Sequence, residues 1–261
     1  MALRQRHPAL DLRIWTRQPS SLGKVQNLLP GALATCSEEE AVRDADGIVL
    51  CTPVGSMPAL AEKIRPHLRE GSVVTDAGSV KGFVVDTVGR TLGSRFVGAH
   101  PMAGSEQTGI EAARADLFEG APCILTPEDS TDPAALSATR SLWEQIGCQT
   151  IEMSAGEHDK SIARVSHLPH SVAAILVNAI DKHAPGSVKL AGGGYRDTTR
   201  VAAGAAAMWR EILMENRTEV LAALAELRET CEEMESYLKK EDHAALEGFL
   251  AKAQEIRSAV R

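Results

Sequence analysis

A loop of small residues around one histidine is the segment best suited to do chemistry. Residues 98–109 read Gly-Ala-His-Pro-Met-Ala-Gly-Ser-Glu-Gln-Thr-Gly and follow a short apolar run at residues 95–97. An imidazole changes its protonation state near neutral pH without help, so His100 is a candidate general base. A tight strand-to-helix turn whose histidine caps a neighbour explains the same residues equally well, because one histidine in a loop is weak support for catalysis.

A second polar loop, residues 76–82, reads Asp-Ala-Gly-Ser-Val-Lys-Gly and follows another predicted strand. On these residues alone, Ser79 is best interpreted as the N-cap of the next helix. A hydroxyl and backbone amides at a helix start can also hold an anion or orient a base. Lys81 is interpreted as a solvated or phosphate-facing charge rather than a catalyst.

The second half of the chain adds two further clusters. His167 and His170 are three residues apart and share one face of a predicted helix that Pro169 bends. Arg196 and Arg200 are one helical turn apart beside a triple glycine, and are either solvated charges or a fork for a substrate carboxylate. The histidines come with no HExxH or paired-carboxylate pattern, so no metal site is predicted.

Length and composition narrow the class of protein. The chain has 261 residues, enough for two domains, and its net charge of −7 with 3% aromatic residues argues against a nucleic-acid partner. Five scattered cysteines with no CxxC pair are typical of reduced thiols in a cytosol. We find no signal peptide and no apolar run long enough to span a bilayer. We therefore expect a cytoplasmic protein that binds a small-molecule substrate and has no membrane partner.

The order of predicted elements indicates the fold class. Up to residue 152, short apolar strands alternate with helices, which predicts right-handed β-α-β units and a mainly parallel sheet. Helix predominates afterwards, with a long helix ending at His183 and apolar residues at three- and four-residue steps after Ala205. The prediction is an α/β protein: a Rossmann-like doubly wound parallel sheet over residues 1–152, then an all-helical domain over residues 153–261. Ligands should bind at the carboxyl ends of the parallel strands.

Four segments, at residues 76–82, 98–106, 166–170 and 193–200, together resemble the prephenate/arogenate dehydrogenase family of tyrosine biosynthesis. Their order and spacing match across nearly the whole chain. The resemblance implies oxidative decarboxylation of prephenate to 4-hydroxyphenylpyruvate, or of arogenate to tyrosine, with hydride transfer to NAD or NADP. It also implies a homodimer formed through the C-terminal helices, with Asp197 and Trp209 at the subunit boundary.

The same resemblance implies roles for individual residues. His100 accepts the proton of the ring hydroxyl, Ser79 hydrogen-bonds that hydroxyl and the imidazole, and Arg200 binds a substrate carboxylate. The further residues that line or gate the substrate pocket are His170, Arg196, Ser105 and Glu106. The residues expected to contact the cofactor at the strand ends are Thr16, Arg17, Thr52, Pro53, Asp76 and Ser79.

The chain departs from the family pattern at the cofactor site. No GxGxxG turn occurs in it, and the N-terminal strand that would precede such a turn is missing. That strand should be central, so we expect an N-terminally truncated sheet with two unpaired inner edges, and weak or absent dinucleotide binding. Thr16 and Arg17 stand where an acidic residue would bind the ribose of NAD, which favours NADP.

Two other functions remain compatible with these residues. One is a catalytically impaired substrate-binding or regulatory homologue, because the glycine-rich turn is missing. The other is a β-hydroxyacid-type or imine reductase of the same two-domain build, although such enzymes more often use a lysine base in the helical half. The choice between prephenate and arogenate stays open, as does feedback by tyrosine.

Overall fold

The computed structural model describes residues 1–104 and 109–259. The strands in that part are β1 (Arg13–Trp15), β2 (Leu33–Thr35), β3 (Gly47–Leu50), β4 (Val73–Asp76), β5 (Phe96–Pro101), β6 (Pro122–Thr126) and β7 (Gln149–Glu152). The helices up to residue 145 are α1 (Ala2–Arg6), α2 (Leu22–Leu28), α3 (Glu38–Val42), α4 (Met57–Ile64), α5 (Lys81–Val84), α6 (Arg90–Leu92) and α7 (Pro133–Gln145). Those that follow are α8 (Ala155–Ile162), α9 (Leu168–His183), α10 (Gly193–Thr199), α11 (Ala206–Glu215), α12 (Arg217–Lys239) and α13 (His243–Ala259).

The sheet confirms the predicted Rossmann-like α/β class. Strands β3, β4 and β5 are parallel neighbours, β6 is antiparallel to β5, and β7 is parallel to β6. All six residues of β5 are buried, as a central strand covered on both faces requires. The end of β5 therefore carries His100 into the interior of the protein.

The sheet is interrupted between β1 and β3. Strand β1 pairs in parallel with β2 in a two-stranded sheet, and β3 pairs with β4 in the five-stranded one. Within the described residues, β1 and β3 are not paired with each other. The two unpaired inner edges expected from the sequence are thus present.

A buried ion pair supports the ends of β4 and β5. The side chains of Lys81 and Asp76 are fully buried, and the ammonium donates to the Asp76 carboxylate and to the carbonyl oxygen of Ala99 (2.8 Å). The other carboxylate oxygen accepts the backbone N–H of Ala99 at 2.9 Å. The interpretation of Lys81 as a solvated or phosphate-facing charge is therefore wrong: Asp76 supplies the countercharge that makes its burial possible.

The long helix predicted to end at His183 is confirmed, with an irregularity in its middle. It starts at a capping box, in which the Ser154 hydroxyl accepts from the Glu157 N–H (3.2 Å) and the Glu157 carboxylate accepts from the Ser154 N–H (3.0 Å). Helices α8 and α9 are joined by one π-helical turn, Ala163–His167. Pro169, which lacks an N–H, is the second residue after this turn. Single π turns of this kind are frequent at functional sites.

The packing divides the chain into two compact units, one of residues 1–216 and one that begins at Arg217. In the first unit, α8 packs against α5 and β6, and in the second α12 packs against α13. The domain boundary predicted at residues 152/153, where alternating strands give way to helices, does not coincide with this division after residue 216. It therefore stays a prediction. No helix in the described part of the chain is both long and apolar enough to cross a membrane.

Removing one partner of the buried ion pair should be costly. We expect Lys81→Met to lower the free energy of unfolding by about 3–5 kcal/mol, because it leaves the Asp76 carboxylate buried without its countercharge. The matched control is Lys24→Met, since Lys24 forms an exposed pair with Glu111 and should lose little stability. Urea denaturation of both variants measures the difference, and equal losses would contradict the structural role of Lys81.

Candidate active site

His100 is hydrogen-bonded directly to the helical part of the first unit, residues 153–216. Its Nδ1 lies 2.8 Å from Nε2 of His158, a residue of α8, and the two rings meet edge to face. The other ring nitrogen of His158, Nδ1, lies 2.7 Å from Oδ1 of Asp159. The histidine at the end of β5 is thus the first member of a buried chain of three titratable side chains.

The carboxylate of Asp159 is held by the first two residues of α5. Its Oδ1 accepts the backbone N–H of Lys81 at 2.8 Å, and its Oδ2 accepts that of Gly82 at 2.8 Å. A Cβ at Gly82 would lie 2.8 Å from the same Oδ2, so the close approach requires glycine. Two backbone donors fix the carboxylate in front of His158.

A second group of side chains adjoins this chain on the helical side. Asn216 donates to the carbonyl oxygen of Asp159 (2.8 Å) and faces Nδ1 of His167 at 3.2 Å. The ring of Trp209 stacks on His170 with centroids 3.5 Å apart and meets His167 edge-on. Nδ1 of His170 is buried and has no hydrogen-bond partner in the described part of the chain, so it is available to a ligand.

Burial makes these imidazoles weak bases. Desolvation, followed by the Lys81 charge and by His158 and His167, lowers the pKa of His100 well below its usual value. Desolvation also lowers the pKa of His158, although the Asp159 carboxylate acts in the opposite direction. The pKa of His167 falls to about 4, again chiefly by desolvation, and that of His170 is lowered for the same reason. All four rings are therefore neutral near pH 7, and a neutral imidazole is the form that accepts a proton.

The other predicted substrate residues occupy several positions around this group. Ser79 is half-buried and its backbone faces His167, but the N-cap of α5 is Val80, so the N-cap role of Ser79 is wrong. Arg200 is exposed and begins a helical turn that packs on α9, the helix of His170. Arg196 and Asp197 are exposed on α10. Ser105 and Glu106 lie outside the described residues.

The predicted cofactor residues lie at the carboxyl ends of the strands on both sides of the sheet interruption. Thr16 and Arg17 directly follow β1, whereas Thr52 and Pro53 follow β3. The Thr52 hydroxyl is buried without a hydrogen-bond partner among the described residues, which suits a polar cofactor group. Asp76 does not fit this role: its side chain is fully buried and is occupied by Lys81 and by two backbone N–H groups.

The sequence did not single out His158, Asp159 or Asn216. His158 and Asp159 lie in the first helix after β7, where a histidine beside an acidic residue is ordinary. One usable signal is the capping box at Ser154, which fixes the start of α8 and hence the residues on its buried face. Nothing in the local pattern indicates that this face meets His100, because the contact joins residues 58 positions apart.

The buried neutral histidines make the fold sensitive to acid. In the unfolded chain His167 binds a proton below about pH 6.5, whereas in the folded chain it does so only near pH 4. Its contribution to folding stability is therefore fully present above pH 6.5 and is lost as the pH falls towards 4. We expect His167 to contribute about 2 kcal/mol of destabilisation at pH 5 relative to pH 7. In urea denaturation, the loss of unfolding free energy between pH 7 and pH 5 should be about 2 kcal/mol smaller in His167→Gln than in the wild type. The exposed control His183→Gln should lose as much as the wild type. An unchanged pH dependence in His167→Gln would contradict this.

Comparison with known proteins shows the family. The family model "Prephenate dehydrogenase, nucleotide-binding domain" matches residues 1–152, and "Prephenate dehydrogenase, dimerization domain" matches residues 154–252. Cyclohexadienyl dehydrogenase of Zymomonas mobilis is 31% identical and is aligned over 97% of this chain and 88% of its own length. Prephenate dehydrogenase of Bacillus subtilis is 36% identical over 84% of this chain, which spans 61% of that protein.

A solved structure extends the similarity to three dimensions. The crystal structure of prephenate dehydrogenase from A. aeolicus, in complex with hydroxyphenyl propionate and NAD+, superposes with a TM-score of 0.94 at 32% identity. The match covers 100% of this chain and 92% of that one. With both family models matched and the fold shared end to end, the chain belongs to the prephenate dehydrogenase family.

Proposed function

We propose that this chain catalyses the NAD(P)-dependent oxidative decarboxylation of prephenate or arogenate. The observation that carries the proposal is the position of His100: a neutral, buried imidazole at the carboxyl end of β5, hydrogen-bonded to the helical part of the same unit. The alternative of an impaired binding or regulatory homologue has no support in the comparisons, whose curated relatives bear the names of dehydrogenases.

His100 acts as the general base on the ring hydroxyl. The O–H bond breaks, its proton passes to the imidazole, and electron density at the oxygen assists departure of the hydride from the same ring carbon. The ring then loses carbon dioxide: the electron pair of the broken carbon–carbon bond enters the ring, which becomes aromatic. Ser79, whose backbone lies beside His167, hydrogen-bonds the same hydroxyl and orients it.

The substrate is held at its far end by Arg200. Its guanidinium binds a carboxylate through two parallel hydrogen bonds, and the turn that carries it packs on the helix of His170. Nδ1 of His170, which has no hydrogen-bond partner among the described residues, gives a further polar contact, and Arg196 adds a second charge to the pocket. The ligand named in the A. aeolicus complex carries a phenol and a carboxylate at opposite ends, the two groups that His100 and Arg200 would bind.

NADP or NAD binds along the strand ends at Thr16, Arg17, Thr52, Pro53 and Ser79. The match of residues 1–152 to a nucleotide-binding domain supports this, against the weak or absent dinucleotide binding expected from the missing glycine-rich turn. The nicotinamide, when bound, supplies the hydride acceptor. A hydroxyl and a guanidinium directly after β1 suit a 2′-phosphate, so we propose a preference for NADP. NAD+ in the A. aeolicus complex supports use of a nicotinamide cofactor without deciding between the two.

The chain forms a homodimer through its C-terminal helices. The family model for residues 154–252 is described as a dimerization domain, which supports this assembly. Apolar side chains exposed on α12 and α13, among them Leu221, Leu238 and Leu250, suit a subunit contact.

The free cysteines of the described residues support a cytoplasmic location.

Replacing the base tests the reaction. We expect the wild type to form reduced cofactor and release carbon dioxide with prephenate, arogenate or both, and to turn over faster with NADP than with NAD. His100→Asn should lower kcat by about 100- to 10,000-fold with little change in KM, because general base catalysis is worth that much. His183→Asn, at the exposed end of α9, is the matched control. Equal activity of the two variants would overturn the role of His100.

Replacing the guanidinium tests substrate binding. Arg200→Gln should raise KM for the substrate by about 10- to 100-fold, the worth of a charged hydrogen-bond pair, and should leave the KM for the cofactor unchanged. Arg210→Gln, on the exposed side of α11, is the control. A substrate KM that is the same in both variants would show that another residue binds the carboxylate.

A further inference from the structure

The hydrogen-bond chain behind His100 has a direction that its chemistry dictates. Asp159 is the fixed end, since an ionised carboxylate can only accept hydrogen bonds. It already accepts two backbone N–H groups, from Lys81 and Gly82, which hold it in place. The ring nitrogen that it meets, Nδ1 of His158, must therefore carry a proton.

The second step concerns the other nitrogen of His158. The groups that face this ring are Asp159, Asp76 and Lys81, together with His100, and burial outweighs the carboxylates so that its pKa is lowered. A neutral ring with its proton on Nδ1 has a free lone pair on Nε2. Nε2 of His158 is therefore an acceptor, and it lies 2.8 Å from Nδ1 of His100.

The third step fixes the tautomer of His100. We propose that His158 is a positioning residue: by accepting the Nδ1 proton of His100, it keeps Nε2 of His100 unprotonated and free to act as the base. Asp159 acts one step further back, because it sets the tautomer of His158. The role rests on the proposed function, but the tautomer itself does not depend on it.

The same chain stabilises the charge that forms during the reaction. When Nε2 of His100 takes the hydroxyl proton, the ring becomes an imidazolium whose Nδ1–H still points at His158. The hydrogen bond strengthens as its donor becomes charged, and the Asp159 carboxylate lies behind it. The charge of Lys81 acts against the imidazolium, because it lowers the pKa of His100, so the hydrogen bond to His158 offsets part of that cost.

NMR spectra of the full chain with isotope-labelled imidazole nitrogens test the tautomer directly. We expect His100 and His158 both to be protonated at Nδ1 and unprotonated at Nε2 near pH 7, with the His100 signals assigned by their loss in His100→Asn. An Nε2-protonated His100 in the wild type would overturn the proposal.

Two substitutions of His158 separate positioning from general structural support. In His158→Leu nothing accepts the Nδ1 proton, so His100 should switch to the Nε2-protonated tautomer and kcat should fall about 100-fold with KM within a few-fold of the wild type. In His158→Gln the amide oxygen can accept that proton, so the tautomer and most of kcat should be retained. Equal losses in the two variants, or an unchanged tautomer in His158→Leu, would overturn the proposal. If His158→Leu does not fold, the wild-type spectrum and His158→Gln decide.

The outcomes also separate this inference from the proposed function. The expected tautomer in a chain that turns over neither prephenate nor arogenate would refute the function and leave the hydrogen-bond chain standing. Full dehydrogenase activity with an Nε2-protonated His100 would refute the inference and leave the function standing.

Discussion

The carboxylate of Asp159 joins the sheet of the first unit to its helical part, and the candidate active site depends on that junction. It accepts two backbone N–H groups from the start of α5, and it contacts His158, which in turn contacts His100 at the end of β5. Because the carboxylate has its own fixed donors, it can orient a neighbouring imidazole without moving. The proposed base is thus held by residues of two segments that are far apart in sequence.

This arrangement places many ionisable groups in the interior. Lys81 and Asp76 compensate each other next to Ala99, while the four histidines avoid an uncompensated charge by staying neutral. The same desolvation suits the proposed role of His100, because a lowered pKa keeps its imidazole unprotonated and able to accept a proton. It also ties the stability of the fold to pH, since acid favours the unfolded chain, in which these rings are free to bind protons.

The two sides of the site differ in how completely they are built. On the substrate side, the hydrogen bonds around His100, His158 and Asp159 are satisfied within the chain. On the cofactor side, β1 and β3 are not paired with each other, and the Thr52 hydroxyl has no partner among the described residues. Exposed ladder edges and unpaired buried hydroxyls are features that a bound group or a neighbouring strand satisfies. The hydrogen-bonded group around His100 is therefore organised within the chain, whereas the strand ends proposed for the cofactor leave polar groups for a ligand to satisfy.

The sequence by itself determined the alternation of strands and helices, the capped start of α8, the interrupted sheet and the family, since these follow from local patterns and motif spacing. It also placed His100 at a strand end, where parallel sheets bind ligands. Only the tertiary structure decided that Lys81 is buried, that Asp76 accepts a hydrogen bond from β5, and that His158 and Asp159 lie behind the proposed base. The physical reason is that charge burial and hydrogen bonding depend on which distant residue lies opposite, and no local pattern records that residue.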